Sequence, residues 1–380
     1  GIVLSVERMN RILEVDRANM AVTVEPGVVT HEVNQEVQKV GLFYAGYPMS
    51  LESCFIGGNV AENAGGGRAI KYGVTGRYVL GLAVVLPTGE IVQLGGKRLK
   101  DVTGYDLLHL MVGSEGTLGI FTQITLRLLP MPAARAVLLV PFAGVAQAIA
   151  AVPRVMTLAH LLPASVEFMD RLSVETASRF LGEGLPHPDV GAMLLIEVDG
   201  NSLEQVTAEY EAVAELCLEA GALDVYVGNT ADTERKMWRP RQNLAEAFKT
   251  ISPVQSLEDI VVPLAQIPAL MPELERLSQQ YGVLIPCYGH AGDGNLHATP
   301  IKRPETSLDE WHAWLPDLLA ELYAVVARLG GTISGEHGVG SKRAAYLPLV
   351  MDPLLIDLQR RIKAVFDPLH ILNPGKIFPA

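Results

Sequence analysis

Short runs of apolar or alternating residues in the first third of the chain predict β-strands. They cover residues 2–6, 21–24, 82–86, 91–94 and 121–129. The third and fourth runs flank Pro87-Thr-Gly-Glu90 and predict a hairpin. A helix is predicted after Thr30, because Val33, Val37 and Val40 recur at helical spacing and Gly41 follows. We expect Thr30 to be its N-cap.

From residue 135 onward, longer helical periods alternate with short apolar runs. The predicted strands are residues 137–140, 193–198, 224–227, 260–262 and 283–286, with another starting near Asn295. The predicted helices are residues 145–151, 202–221, 267–281, 307–330 and parts of 341–366. Ser202 with Gln205, and Ser307 with Glu310, have the spacing of capping boxes. This alternation predicts an α+β domain whose sheet is covered by helices.

The composition of the chain argues against a nucleic-acid-binding, a disulfide-rich and a membrane-spanning protein. The chain has 380 residues, a net charge of −12 and a pI near 5.3, so no nucleic-acid partner is expected. Its three scattered cysteines form no CxxC pair, which excludes a disulfide framework and an iron–sulfur site within this chain. The longest uncharged run, residues 136–153, is shorter and more broken than a transmembrane helix of about 20 apolar residues. These features predict a cytoplasmic protein, and the start at Gly1 predicts that the natural N-terminus lies upstream.

Three histidines and one glutamate stand in two glycine-framed stretches. His290 and His297 lie in residues 288–299, and Glu336 and His337 follow forty residues later. Two histidines and a carboxylate form a ligand set for Zn²⁺, and also for Fe(II) or Mn(II). His337 is then available as a base, since histidine is the side chain that most often acts as a general base. The alternative is that these residues only cap turns.

Two further glycine-rich stretches cover residues 56–67 and 112–120. Dense glycines let backbone N–H groups approach a flat or anionic ligand, and the absence of GxGxxG argues against a Rossmann site. Glycine content alone leaves a flexible surface loop equally open for the first stretch, and favours a tight structural connection for the second. Arg241 has the chemistry to bind a carboxylate, although an isolated arginine is more often surface charge.

Together these stretches resemble the FAD-linked oxidase family of the vanillyl-alcohol-oxidase type, which includes glycolate oxidase D subunits and D-lactate and D-2-hydroxyglutarate dehydrogenases. The resemblance spans nearly the whole chain in the family's order. It is carried by Ile56-Gly-Gly-Asn-Val-Ala-Glu-Asn-Ala-Gly-Gly66, Lys71-Tyr-Gly-Val-Thr75, Lys100-Asp-Val-Thr-Gly-Tyr-Asp-Leu107, Gly113-Ser-Glu-Gly-Thr-Leu-Gly119, Gly289-His-Ala-Gly-Asp-Gly-Asn-Leu-His297, Gly335-Glu-His-Gly338 and Leu372-Asn-Pro-Gly-Lys376.

The resemblance implies an α+β fold in three parts. Residues 1–132 would form an FAD-binding domain of the p-cresol-methylhydroxylase (PCMH) type, truncated at its N-terminus because the family's pyrophosphate loop lies upstream of Gly1. Residues 133–345 would form a ferredoxin-like cap domain that binds substrate, and residues 346–380 a helical segment returning to the flavin domain.

The resemblance also implies noncovalent FAD and assigns residues to it. The implied flavin contacts are Pro48, Cys54, Gly57, Gly58, Ala61, Asn63, Ala64 and Gly65 in one loop, and Glu115, Gly116, Gly119 and Ile120 in another. The implied metal ligands are His290, His297 and Glu336, with zinc favoured over iron or manganese. His337 matches the family's proposed base and Arg241 its carboxylate-binding arginine.

The activity implied is oxidation of a small 2-hydroxy acid, glycolate or D-lactate, to the 2-oxo acid. Electrons would pass to an iron–sulfur subunit or a quinone, with the protein cytoplasmic or peripheral at the inner membrane face. Thr299 and Ala245 depart from the 2-hydroxyglutarate enzymes, which argues against that substrate. The alternatives are a truncated subunit that lacks FAD within an electron-transfer complex, and a flavin-free metallohydrolase, which leaves both glycine loops unexplained.

Overall fold

A computed structural model describes residues 1–158 and 161–379 of the chain. It divides the protein into two compact units. The first comprises Gly1–Met131 together with Glu336–Ala380, and the second comprises Pro132–Gly335. The chain therefore leaves the first unit once and returns to it at Glu336.

The first unit is built on an antiparallel sheet. The strands of this unit are β1 (Ile12–Asp16), β2 (Ala21–Val24), β3 (Leu42–Phe43), β4 (Val79–Val85), β5 (Ile91–Gly95), β6 (Ile120–Arg127) and β7 (Leu129–Pro130). Five of them form one sheet in the order β1-β2-β6-β4-β5, and β3 pairs separately with β7. Its helices are α1 (Thr30–Gln38), α2 (Ile56–Glu62), α3 (Ala69–Tyr72) and α4 (Leu107–Met111), with a 3-10 helix at Thr75–Arg77.

The alternating runs of the sequence supply the core of this unit. Val22 of β2 faces Leu126 of β6 in the ladder, and Val24 faces Ile124; all four side chains are fully buried. Branched apolar side chains pack well on a pleated surface, which explains why these segments form central strands. The predicted hairpin is confirmed as β4 and β5, with Val85 paired to Ile91.

Three expectations for the first unit are wrong. Residues 2–6 form no strand, because no described strand lies beside them to complete a ladder, and Ile2 is 97% exposed. Thr30 does not cap α1 but is its first residue; its hydroxyl accepts from Asn59 Nδ2 (2.8 Å) and donates to the Cys54 carbonyl (3.3 Å). The first glycine-rich stretch is largely helical, since α2 occupies most of it before ending at Asn63 in the left-handed region.

The second unit is a seven-stranded antiparallel sheet with helices. Its strands are β8 (Ala134–Phe142), β9 (Ser165–Asp170), β10 (Ala192–Gly200), β11 (Tyr226–Gly228), β12 (Glu258–Val261), β13 (Cys287–His290) and β14 (Asn295–Ala298). Their order is β11-β8-β10-β9-β13-β14-β12. The helices are α5 (Val145–Met156), α6 (Arg171–Leu181), α7 (Leu203–Glu219), α8 (Ala231–Gln242), α9 (Leu244–Phe248), α10 (Ile267–Tyr281) and α11 (Leu308–Arg328).

Helix caps in this unit follow the sequence closely. Ser202 accepts the Gln205 N–H (3.1 Å) at the start of α7, but the Gln205 side chain accepts the N–H of Asn201 (3.4 Å) instead of that of Ser202, so only half of the capping box predicted there forms. At α11, Ser307 accepts the Glu310 N–H (3.2 Å), and Glu310 accepts the Ser307 N–H (2.9 Å), so the predicted capping box is confirmed.

One strand in this unit is displaced from its predicted position. Residues 283–286 were expected to be a strand, but β13 begins only at Cys287. Pro286 has no N–H for a ladder, and Leu284 makes only an isolated bridge to Ile301. The later start of β13 places His290 on a strand instead of in a loop.

After Gly335 the chain contributes a 3-10 helix at Ala344–Leu349 and α12 (Pro353–Phe366) to the first unit. Lys363 of α12 is buried and pairs with Asp367. Its ammonium group also donates to the carbonyls of Thr117 (2.7 Å) and Leu372 (3.0 Å). This lysine therefore fixes the C-terminal tail to the second glycine-rich stretch.

Candidate active site

His290 and His297 lie on neighbouring strands of the second unit. Tyr288 of β13 pairs with His297 of β14, and His290 pairs with Asn295. Both rings are buried, and their centroids are 5.8 Å apart. The tight turn between β13 and β14 thus brings together the two histidines that the sequence separates by seven residues.

Glu167 joins His290 to Arg241. It lies opposite His290 in the β9–β13 ladder and is fully buried. One carboxylate oxygen contacts His290 Nδ1 (2.6 Å), and the other accepts from Arg241 Nε (2.7 Å). Burial by itself raises the pKa of Glu167, but the charges of His290 and Arg241 and their hydrogen bonds bring it below its usual value.

Arg241 is a core residue and not the surface charge that an isolated arginine suggests. It lies at the end of α8, is 5% exposed, and its guanidinium carbon lies 5.0 Å from the centre of the Tyr288 ring. Its Nη2 is buried and has no hydrogen-bond partner among the residues that the structure describes. A buried guanidinium nitrogen without a hydrogen-bond partner is available to bind a carboxylate oxygen.

Asp259 organises the other side of the histidine pair. It is fully buried on β12, accepts from Asn295 Nδ2 (2.7 Å), and lies 3.9 Å from His297 Nε2. It also accepts the Ser334 hydroxyl (2.8 Å) and the Gly335 N–H (2.9 Å). The chain therefore leaves the second unit from a point anchored beside the histidine strands, and the next residue is Glu336.

Glu336 and His337 open the returning segment of the first unit. Glu336 is buried, and one of its carboxylate oxygens lies 3.6 Å from His337 Nε2. The His337 side chain is 36% exposed. A half-exposed imidazole next to a buried carboxylate has the access that a general base requires.

The two predicted flavin loops lie together in the first unit. The Gly113 N–H donates to the Val60 carbonyl (3.0 Å), and the Glu115 N–H donates to Ala61 (2.8 Å). All twelve residues assigned to the flavin lie in this unit, either in the segment around α2 or between the turn before β6 and the first residue of that strand. These are Pro48, Cys54, Gly57, Gly58, Ala61, Asn63, Ala64 and Gly65, and Glu115, Gly116, Gly119 and Ile120.

The glycines of the first flavin loop differ in how much space surrounds them. A Cβ on Gly57 would lie 2.6 Å from Pro26, and one on Gly66 would lie 2.4 Å from the Tyr47 carbonyl, so both are required by packing. Gly58 is exposed, and a Cβ there would meet no atom within 4 Å. The surface of α2 at Gly58 is therefore open to close approach by a flat ligand, which fits FAD.

Glu115 is already committed to the protein. Its carboxylate accepts the N–H groups of Val339 (2.7 Å) and Gly340 (2.7 Å), and its backbone is in the left-handed region at φ 51°. A contact with flavin would therefore come from its backbone. Next to it, burial and the Glu115 charge raise the pKa of Glu62 to about 7, although Arg343 lowers it.

Sequence reasoning missed Glu167, Asp259 and Glu62. The first two carry a detectable signal, because each is an acidic residue beside apolar strand residues: Glu167 lies between Val166 and Phe168, and Asp259 precedes Ile260 and Val261. A charge in such a run is buried only if it is paired. Glu62 has no comparable signal, since its position at the end of α2 is typical of surface residues.

Comparison with known proteins identifies the class. Residues 131–377 match the family of FAD linked oxidases, C-terminal domain, and residues 1–95 match an FAD binding domain. The chain belongs to the FAD-linked oxidase family, as its motifs predicted, and is an FAD-linked oxidoreductase with FAD as its cofactor. No helix in the described part of the chain is long and apolar enough to cross a bilayer.

Individual relatives agree with this class. The chain is 40% identical over 378 residues to the glycolate oxidase subunit GlcD of Bacillus subtilis, covering 100% of this chain and 79% of that one. It is 39% identical over 382 residues to a D-lactate dehydrogenase of Anaerostipes hadrus, covering 99% and 80%. A solved structure of p-cresol methylhydroxylase matches with a TM-score of 0.76 at 17% identity, covering 98% of this chain and 78% of that one. That likeness confirms the expected fold.

Proposed function

We propose that this protein oxidises a small 2-hydroxy acid, glycolate or D-lactate, to the 2-oxo acid. The names of its relatives, a glycolate oxidase subunit and a D-lactate dehydrogenase, support this substrate class. The observation that carries the proposal is the buried Arg241, whose Nε is held by Glu167 while its Nη2 has no partner among the described residues. In the proposal, that nitrogen binds the substrate carboxylate.

A divalent metal would be held by His290, His297 and Glu336. The donor set fits, because Glu167 occupies His290 Nδ1 and leaves Nε2 as the ligand nitrogen. The motif Gly335-Glu-His-Gly338 supports the inclusion of Glu336, since a carboxylate with two histidines is a ligand set that zinc uses. The metal, with zinc favoured over iron or manganese, would lower the pKa of the substrate hydroxyl.

His337 would accept the hydroxyl proton. Its half-exposed ring and its neighbour Glu336 support that role. The flavin, when bound, supplies the hydride acceptor, while the protein places and orients the acid. Because the three cysteines are free and form no cluster in the sequence, we propose that electrons leave to a separate iron–sulfur subunit or a quinone.

Dye-linked oxidation of a panel of 2-hydroxy acids by the flavin-loaded protein tests this proposal. We expect turnover with the two- and three-carbon acids. Arg241→Lys keeps the charge but loses the planar fork, so KM should rise roughly ten- to a hundredfold. The matched control is Arg239→Lys, on the same helix and paired with Glu183 at the surface, which should leave KM unchanged.

Two results would contradict the proposal. One is a flavin-loaded protein that oxidises no acid of the panel. The other is an Arg241→Lys variant whose KM equals that of the Arg239→Lys control. Flavin absorbance measured on each variant separates a loss of cofactor from a loss of substrate binding.

A further inference from the structure

A cavity of about 600 Å³ lies in the first unit, apart from both flavin loops. Its walls are the end of β5, the segment 98–106, the start of α4, and two arginines, Arg77 and Arg127. None of the twelve residues assigned to the flavin lines it. The segment 98–106 includes most of the Lys100–Leu107 motif, for which the proposed oxidation provides no role.

Arg127 is the last residue of β6, and its backbone N–H donates to the Tyr78 carbonyl (2.7 Å). Its side-chain Nε is buried and has no hydrogen-bond partner in the described residues 1–158 and 161–379. Arg77 lines the same cavity. A buried guanidinium donor is normally hydrogen-bonded, so this nitrogen of Arg127 is a candidate donor to a ligand in the cavity.

The acidic residues of the cavity are already paired. Asp101 holds Arg98 (2.7 Å), and Asp106 holds His109 (2.7 Å). Among the described residues, neither Arg77 nor Arg127 forms an ion pair. With His109 neutral, as in the formal net charge of −12 for the chain, three arginines and two aspartates line the cavity and leave it a net charge of +1.

The remaining wall of the cavity is apolar. Leu99, Val102 and Tyr105 belong to the segment 98–106 and are 58%, 87% and 96% exposed. Three large, solvent-exposed apolar side chains beside a cavity that contains arginines are typical of a ligand-binding surface. They suit a ligand with an anionic end and an apolar end.

We propose that this cavity binds a small organic phosphate, with the phosphate between Arg77 and Arg127 and the apolar group against Leu99, Val102 and Tyr105. A phosphate dianion matches two guanidinium charges and accepts several N–H donors at once. The ligand would bind without displacing FAD, because the cavity and the flavin loops share no residue.

Calorimetric titration of the flavin-loaded chain at constant ionic strength tests the proposal, with phenyl phosphate and inorganic phosphate as probes. Phenyl phosphate should bind about tenfold more tightly, because its ring removes apolar surface from water. Arg77→Gln and Arg127→Gln should each weaken both probes roughly ten- to a hundredfold. Tyr105→Ser should weaken phenyl phosphate alone.

Arg17→Gln is the control for charge, because Arg17 is exposed near the β1–β2 turn, outside the cavity. It should bind both probes as the parent protein does. The proposal is overturned if the parent shows no saturable binding of phenyl phosphate below about 10 mM, an affinity of under 3 kcal/mol. Arg77 is exposed, so the Arg77→Gln variant is expected to fold. If that variant binds both probes as the parent does, the proposal is overturned. It is also overturned if Arg17→Gln weakens binding as much as Arg77→Gln does.

Discussion

Replacing Glu167 by Gln tests whether the buried carboxylate that contacts both Arg241 and His290 stabilises the site. The substitution keeps the size of the side chain but removes its charge. The amide retains one oxygen to accept a hydrogen bond, and its NH₂ group then faces the donor of the other partner. In one of the two contacts, 2.6 Å to His290 or 2.7 Å to Arg241, two hydrogen-bond donors then face each other and the hydrogen bond is lost.

The cost follows from burial. Glu167 is 0% exposed and Arg241 is 5% exposed, so water does not replace the lost interaction. Removing one partner of a buried ion pair costs about 3–5 kcal/mol, because the remaining charge is uncompensated. For a domain of 150–250 residues, each kcal/mol lowers Tm by about 2–4 °C, so the variant should melt at least about 6 °C lower. The KM for the acid should also rise, since Arg241 loses its orientation.

Thermal unfolding of the flavin-loaded protein at pH 7, followed by circular dichroism, measures the effect. Glu183→Gln is the matched control, because Glu183 pairs with Arg239 at the surface of the same unit, with 42% and 54% of the two side chains exposed. An exposed pair contributes less than about 1 kcal/mol. If Glu167→Gln and Glu183→Gln melt within 1 °C of each other, the buried carboxylate does not have the proposed structural role.

The same carboxylate sets a pH dependence. The folded pKa of Glu167 is depressed, so its stabilising contribution is present above the pKa of an unfolded glutamate. It is lost as the pH falls through the lower, folded value. Glu167→Gln should therefore flatten the acid side of the stability profile, which denaturant titrations at a series of pH values would detect.

His337→Ala should lower turnover roughly 10²- to 10⁴-fold by removing a general base, with flavin absorbance retained; near-parental turnover in dye-linked assays would exclude the role. Chelator treatment should abolish turnover of the parent protein but leave the flavin bound, and His297→Ala should be inactive before chelator is added; an unchanged rate after metal removal, verified by elemental analysis, would refute the metal assignment. Lys363→Met should cost about 3–5 kcal/mol, because it leaves Asp367 buried without its cation. Denaturant unfolding would show this against Lys39→Met, an exposed control, and equal stability of the two variants would contradict it.

Much of the candidate site could be predicted from the sequence because it is built from local motifs. The turn between His290 and His297 is specified by its glycines, and the strand pair that carries the histidines follows from that turn. The capping box at α11 was likewise readable, since its four residues are adjacent in sequence. By contrast, the strand predicted at residues 283–286 is wrong because Pro286 interrupts the ladder, and an apolar run does not show where hydrogen bonding begins.

The sequence by itself determined the family, the cofactor and the identity of the titratable groups, because these depend on motifs a few residues long. Only the tertiary structure decided what those groups contact. Glu167 precedes His290 by 123 residues and Arg241 by 74, and β-sheet pairing and the packing of α8 bring the three together. Periodicity reports which face of an element is buried, whereas the partner across a sheet depends on strand order. For that reason the sequence favours a surface charge at Arg241, whereas in the fold its side chain is buried and its Nη2 has no hydrogen-bond partner among the described residues.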